Sequence, residues 1–279
     1  MSPHATRHDA DGVVTVTFTR PDKRNAVDRG MFDLIAGAVG DLRDQDHLRV
    51  LVLTAEGEYY TGGKDVADLR TNVGEGTDGT VRGSNMRVQY RIDADHDLFD
   101  AIEQVEKPVI LAAQGHCLGV GVEMGVSCDF RLAAEGATFG LPEVHNLAVL
   151  PGSGGVSRLT RIVGPHWARW LAMACERIDA HQALAIGLVH AVYPADEFGD
   201  RVQAFARKLA GMPREALGVA KVAIDTADTV DRATARVFDR FSQTLLFTSD
   251  EFKDRVNAFN QASAARGRQR QSPVAPPDQ

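Results

Sequence analysis

Three short runs, the apolar VLVL at residues 50–53 and VILAA at 109–113 and the mostly apolar FRLAA at 130–134, constrain this chain most. Each is too brief for a core helix and reads as a buried strand. An earlier stretch, GVVTVTFT at residues 12–19, alternates β-branched residues and reads as a strand as well. Between it and the first apolar run, Met31, Phe32, Leu34, Ile35, Ala38, Val39 and Leu42 recur at helical spacing from Asp28 to about Arg43. Strands alternating with helices predict an α/β fold whose parallel sheet is joined by right-handed crossovers.

A second helix is expected over residues 88–105, and a short one opening at the glycines of GHCLGVGVEMGVSCD. Residues 69–87 are rich in glycine and polar residues and read as a mobile loop. After about residue 165 the pattern reads as helical throughout, through DAHQALAIGLVHAVY and a long segment from Arg214 to Phe247. The expected organisation is a core over residues 1–200 with about 11 flexible residues at its start, a helical region over 201–262, and a disordered polar tail over 263–279.

Charge and composition exclude several function classes. The net charge of −7 opposes nonspecific binding to nucleic acid and to anionic membranes. No run approaches the roughly 18 apolar residues of a membrane span, and the N-terminal stretch has no apolar segment of the signal-peptide kind, so a cytoplasmic protein is expected. Cys117, Cys128 and Cys175 are too few and too scattered for a disulfide framework and form no CxxC pair. No metal site is expected. His4 and His8 fall in the tail expected to be flexible, and DADHDLFD at 93–100 lacks the sixth-place glycine of a calcium loop and has Gln104 in place of its bidentate glutamate.

Two glycine-rich loops follow strands. Gly62-Gly63 precedes Lys64 and Asp65, so the GK[ST] ending of a phosphate-binding loop is missing. Gly119-Val120-Gly121 is followed by Val122, Glu123 and Met124, so the dinucleotide pattern lacks its third glycine. Both loops do offer main-chain N–H groups, at Lys64 and Val120. If these converge they form an oxyanion hole, worth about 3–4 kcal/mol per donor. The alternative is a pair of tight strand-to-helix turns.

RPDKRNAVD, YYTGGKDVADL, KPVILAAQGHCLGVGVEMGVSCDFRLAA, FGLPEVHNLAVLPGSGGVSRL, ALAIGLVHAVYP and SDEFKDRVNAFNQ occur in that order. With these motifs the chain resembles the crotonase (enoyl-CoA hydratase/isomerase) superfamily over residues 12–262. The resemblance implies a repeated ββα/βαβ spiral core with a C-terminal helical region that supports oligomerisation, as a homotrimer or homohexamer. It implies an acyl-CoA substrate in lipid or fatty acid metabolism, with no cofactor beyond the coenzyme A carried by the substrate. The N–H groups of Lys64 and Val120 would hold the thioester oxygen. Arg24, Ala26, Gly62, Gly63, Asp65, Val66 and Gly119 would line the CoA and substrate site, with Asp65 also capping the following turn and the Lys64 side chain solvated. Lys23, Lys253 and Phe259 are weaker candidates for CoA contacts.

The same resemblance puts the two catalytic carboxylates of a hydratase at Glu123 and Glu143. Adding water to an enoyl thioester needs one group to take a proton and another to give one; a shared site sets two carboxyl pKa values apart by proximity. One departure stands out: seven residues, VHNLAVL, separate Glu143 from Pro151, where the hydratase pattern has six. His145 lies in that segment. The departure leaves an isomerase, a ring-opening hydrolase or a decarboxylase on the same scaffold as alternatives to an enoyl-CoA hydratase. A catalytically idle acyl-CoA-binding protein is a third reading.

Overall fold

The backbone follows the hydrophobic pattern into two sheets between which successive strands alternate. The structure, a computed structural model, describes residues 3–67 and 95–270. It divides into two compact units, residues 1–212 and 213–279. In the first unit a six-stranded sheet has the order β1 (Ala5–Ala10), β2 (Val13–Phe18), β3 (Val50–Ala55), β5 (Val109–Ala113), β7 (Phe130–Ala134) and β10 (Ala191–Tyr193). All its neighbours are parallel except β1 against β2. The smaller sheet contains β4 (Tyr59–Thr61), β6 (His116–Leu118), β8 (Thr138–Gly140) and β9 (Ile178–Asp179), with only β9 antiparallel. Thus β3, β5 and β7 each send the chain into β4, β6 and β8, and this repeat is the crotonase-type spiral.

Strands β3 and β5 are apolar on both faces because both faces are covered. On one face Leu51, Leu53 and Leu111 pack with Met31, Phe32 and Ile35 of helix α1 (Arg29–Asp44) and with Phe99 and Ile102 of α2 (Asp95–Gln104). On the other, Val50, Val52 and Ile110 meet Phe198, Val202 and Leu209 of α7 (Phe198–Ala210). Helix α1 begins where Asp28 accepts the N–H of Met31 at 2.9 Å, a side-chain cap worth about 1 kcal/mol.

Several sequence expectations change. Residues 5–10, read as part of a flexible tail, form β1, joined to β2 by Asp11 and Gly12 with φ of 52° and 77°. The tail's His4 is bonded through Nδ1 to Asp28. The region after residue 165 is not helical throughout, since β9 and β10 enclose α6 (Ala180–Ala185). The segment from Arg214 to Phe247 is two helices, α8 (Arg214–Thr229) and α9 (Arg232–Phe247), broken where Asp231 caps the second. Helix α10 (Asp250–Arg270) continues beyond residue 262, where alanine, arginine and glutamine favour a helix although Gly267 does not. The expected mobile loop at 69–87 and the tail beyond 270 lie outside the described residues. No described helix is long and apolar enough to cross a membrane.

Candidate active site

The first glycine loop is fixed by a main-chain zipper. Gly62 N–H donates to the Arg24 carbonyl at 2.7 Å, Val27 N–H to Gly63 at 2.9 Å, and Asp65 N–H to Val27 at 2.9 Å. The last two bonds flank Lys64 in a parallel bridge to Val27, a pattern that turns the N–H of Lys64 itself away from Val27. Buried Asn25 braces this zipper, donating to the carbonyls of Glu56 (2.8 Å) and Tyr59 (2.7 Å) and accepting from Arg20 N–H (2.8 Å). Thr61 adds a bond from Oγ1 to the Asn25 carbonyl at 2.7 Å.

The second loop opens helix α3 (Val120–Ser127), every residue of which is buried. Val120 is its first residue, so its N–H is one of the donors that a helix leaves without an internal acceptor, at the positive end of the helix dipole. At the other end of α3, buried Arg131 donates to the carbonyls of Gly125 (3.2 Å) and Cys128 (2.6 Å), and also to Leu188 (2.6 Å). The guanidinium thereby closes the carbonyl end of the helix.

Gly119 is where the pieces meet. It sits at φ 56°, ψ −123°, a combination open to glycine and not to other residues. Its carbonyl accepts the N–H of Glu123 at 3.2 Å. A methyl placed on Gly119 would lie 2.6 Å from Oε1 of Glu143 and 3.6 Å from Cα of Gly63. Both glycine loops and the Glu143 carboxyl group therefore adjoin one residue, to which Glu123 is joined through its main chain.

The two carboxyl groups stand in different surroundings. Oε1 of Glu123 accepts the main-chain N–H of Ser153 at 2.7 Å. Oε2 of Glu143 is buried with no hydrogen-bond partner among the described residues. Burial raises the Glu143 pKa above the ordinary carboxylate value, since desolvation penalises the charged form. The sequence argument invoked a neighbouring like charge for this; the cause here is desolvation.

The extra residue after Glu143 is absorbed without drawing that side chain off Gly119. VHNLAVL makes one helical turn, α4 (Glu143–Leu147), closed by Ala148 at φ 54°. This left-handed position costs a non-glycine residue about 1–2 kcal/mol. His145 is exposed on the outer side of this turn.

The other expected site residues are spread along the first loop. Arg24 is exposed, with its guanidinium 5.5 Å from the centre of the Tyr59 ring, and the Ala26 carbonyl accepts from Arg20 at 3.3 Å. Asp65 caps the next turn through Ala67 N–H (3.0 Å), as expected, and also pairs with Arg20 at 2.7 Å. The Arg20 guanidinium lowers the Asp65 pKa. Val66 is half exposed. The Lys64 ammonium, expected to be solvated, lies 5.9 Å from the centre of the Phe32 ring. Lys23 is exposed on the short turn before Arg24, and in the second unit Lys253 pairs with Asp250 while Phe259 is exposed. Sequence reasoning missed Arg20, Asn25 and Ser153; Arg20 and Asn25 lie inside the quoted RPDKRNAVD motif, whereas a main-chain donor such as Ser153 leaves no side-chain signal.

Comparison with known proteins identifies the family of the chain. Residues 8–266 match the family described as enoyl-CoA hydratase/isomerase. A short-chain-enoyl-CoA hydratase of Clostridium acetobutylicum is 32% identical over 249 residues, covering 88% of this chain and 90% of that protein. A crotonyl-CoA hydratase of Syntrophomonas wolfei is 32% identical over 245 residues, covering 87% and 89%. The crystal structure of an enoyl-CoA hydratase from Bacillus anthracis superposes with a TM-score of 0.81 at 27% identity, covering 93% of this chain and 96% of its own. With a family match over nearly its whole length, two well-covered relatives and the same fold, the chain belongs to the enoyl-CoA hydratase/isomerase family.

Proposed function

We propose that this protein is an enoyl-CoA hydratase, a hydro-lyase that reversibly adds water across the double bond of a 2-enoyl-CoA. The observation that carries this reading is the meeting of Gly63, Gly119 and the Glu143 carboxyl group at one point, on the opening turn of the helix that carries Glu123. In the assigned mechanism the N–H groups of Lys64 and Val120 receive the thioester oxygen and stabilise the charge it gains as the enolate forms. Glu123, already an acceptor of a main-chain N–H, takes a proton from water while the water oxygen bonds to the β-carbon. Glu143, favoured in its protonated form by burial, gives its proton to the α-carbon. Reversal exchanges the two roles and expels water. Every step is a proton transfer or the making of a C–O bond, so the assignment calls for no metal and no redox cofactor. Arg24, Ala26, Gly62, Asp65 and Val66 are assigned to the CoA side of the site.

The test is hydration of crotonyl-CoA, followed by loss of enoyl absorbance and by mass spectrometry, with short, long and steroid-derived thioesters as a panel. The expected product is heavier by one water with its carbon skeleton intact. Bond migration, chain cleavage or ring opening would point to another reaction of the family, and binding without turnover across the panel would leave only an acyl-CoA-binding role. We further assign the enzyme to the cytoplasm as a homotrimer or homohexamer. The exposure of Phe241, Leu245 and Phe259 in the second unit supports association of this kind. Sedimentation of the full chain at monomer mass would remove that assignment.

A further inference from the structure

The loop that supplies Ser153 to Glu123 is pressed from both sides. A methyl on Gly155 would stand 2.9 Å from Oε1 of Glu123, and a methyl on Gly154, at φ 85°, would overlap the guanidinium of Arg158. Arg158 belongs to α5 (Gly155–Ala172) and is largely buried, with a side-chain exposure of 13%. Its Nη1 donates to the Ser153 carbonyl at 3.3 Å. Its Nε and Nη2 hold Glu103 of α2 at 3.1 and 2.9 Å, and Nη2 also holds Asp100. The planar fork thus ties the Ser153 loop to α2 on the side away from Glu123.

We propose that Arg158 is a positioning residue for Glu123, acting through the Ser153–Gly155 loop with Asp100 and Glu103 as its anchor. This rests on the hydratase reading for its effect on rate, but not for its effect on geometry. The loop meets Glu123 through the Ser153 N–H and the close approach of Gly155. The Ser153 N–H and the bare face of Gly155 help set the carboxylate position, and Arg158 holds that loop. A charge on a flexible stem does not reproduce this, because the fork bonds three groups at once.

The experiment compares Arg158→Met, Arg158→Lys and Glu103→Gln with the wild type, in crystal structures and in crotonyl-CoA hydration. In Arg158→Met the Ser153 N to Glu123 Oε1 separation should open beyond about 3.5 Å. The kcat should fall about 10- to 100-fold, as misplacement of a catalytic group does, with KM changed less than threefold. Arg158→Lys should recover part of the rate, and Glu103→Gln should lose less than Arg158→Met. If Arg158→Met does not fold, Arg158→Lys and Glu103→Gln decide the matter through the same separation. An unmoved Ser153–Glu123 bond in the folded variants overturns the proposal, whatever the rate. A kcat that stays at the wild-type value does so too. If the wild type itself hydrates nothing, the functional reading falls while the crystallographic comparison still decides the positioning role.

Discussion

Glu143→Gln should retain binding of crotonyl-CoA and lose its hydration by about 10²- to 10⁴-fold, the range supplied by one general acid. Glutamine keeps the size and an acceptor oxygen but has no acidic proton to deliver. The same variant carries a second, independent signature in stability. The folded pKa of Glu143 lies above its ordinary value of 4.5 because the carboxyl is buried. The folded protein therefore holds this proton to higher pH than the unfolded chain does. The associated stability is complete below about the unfolded pKa and is lost as pH rises through the folded one. Glutamine suffers no such loss. Thermal unfolding of the variant and the wild type, measured from acid to neutral pH, should show a difference in Tm that moves in favour of glutamine as pH rises. In the wild type kcat/KM should decline on the alkaline side as Glu143 ionises. Unchanged turnover, or a Tm difference that does not vary with pH, would reject the role given to this residue.

Gly119→Ala is the second large effect. The added methyl would sit 2.6 Å from Oε1 of Glu143, closer than any real side-chain carbon approaches an oxygen. The backbone at φ 56°, ψ −123° is itself costly for alanine, at about 1–3 kcal/mol. Either relief, rotating Gly119 or expelling Glu143, damages the site: the first turns the Val120 N–H off the thioester oxygen and the second removes the proton donor. Loss of one oxyanion donor alone costs about 10²- to 10³-fold in kcat, so Gly119→Ala should be at least that impaired. The two variants separate by infrared spectroscopy of the bound enoyl thioester. Glu143→Gln should keep the lowered carbonyl stretch that two N–H donors produce, and Gly119→Ala should shift it toward the free value. A variant with wild-type turnover would show that the loops do not act through this glycine.

The parts of the molecule with a repeating hydrophobic pattern were legible from the chain alone. VLVL and VILAA became β3 and β5 because a strand buried on both faces must be apolar at every position, and FRLAA became β7 with its one charge, Arg131, turned onto main-chain carbonyls. Strand β1 was not legible, since ATRHDA buries only its first residue well and offers no apolar alternation. The clue was the Asp11-Gly12 pair, whose two positive φ angles suit a tight hairpin. ALAIGLVHAVY was misread for the opposite reason: a short apolar run satisfies a helix and a strand equally, and pairing of Ala191–Tyr193 with β7 decided the matter. The glycines and glutamates of the site were visible as motifs. The reason the Glu143 pKa is raised was not, because desolvation depends on what folds around it. Nothing in the sequence singles out Arg158, because its partners Asp100 and Glu103 come from the distant α2.

The guanidinium lodged behind α3 has one more consequence. Arginine keeps its proton throughout the range in which proteins work, so the strut at Arg131 stays engaged in acid and in alkali alike. The donor at the far tip of that helix is anchored from the rear, and cannot be tuned by sliding the helix. Replacing Arg131 should therefore loosen the carbonyl end of α3, the end away from the Val120 N–H, and change the protein through its backbone alone.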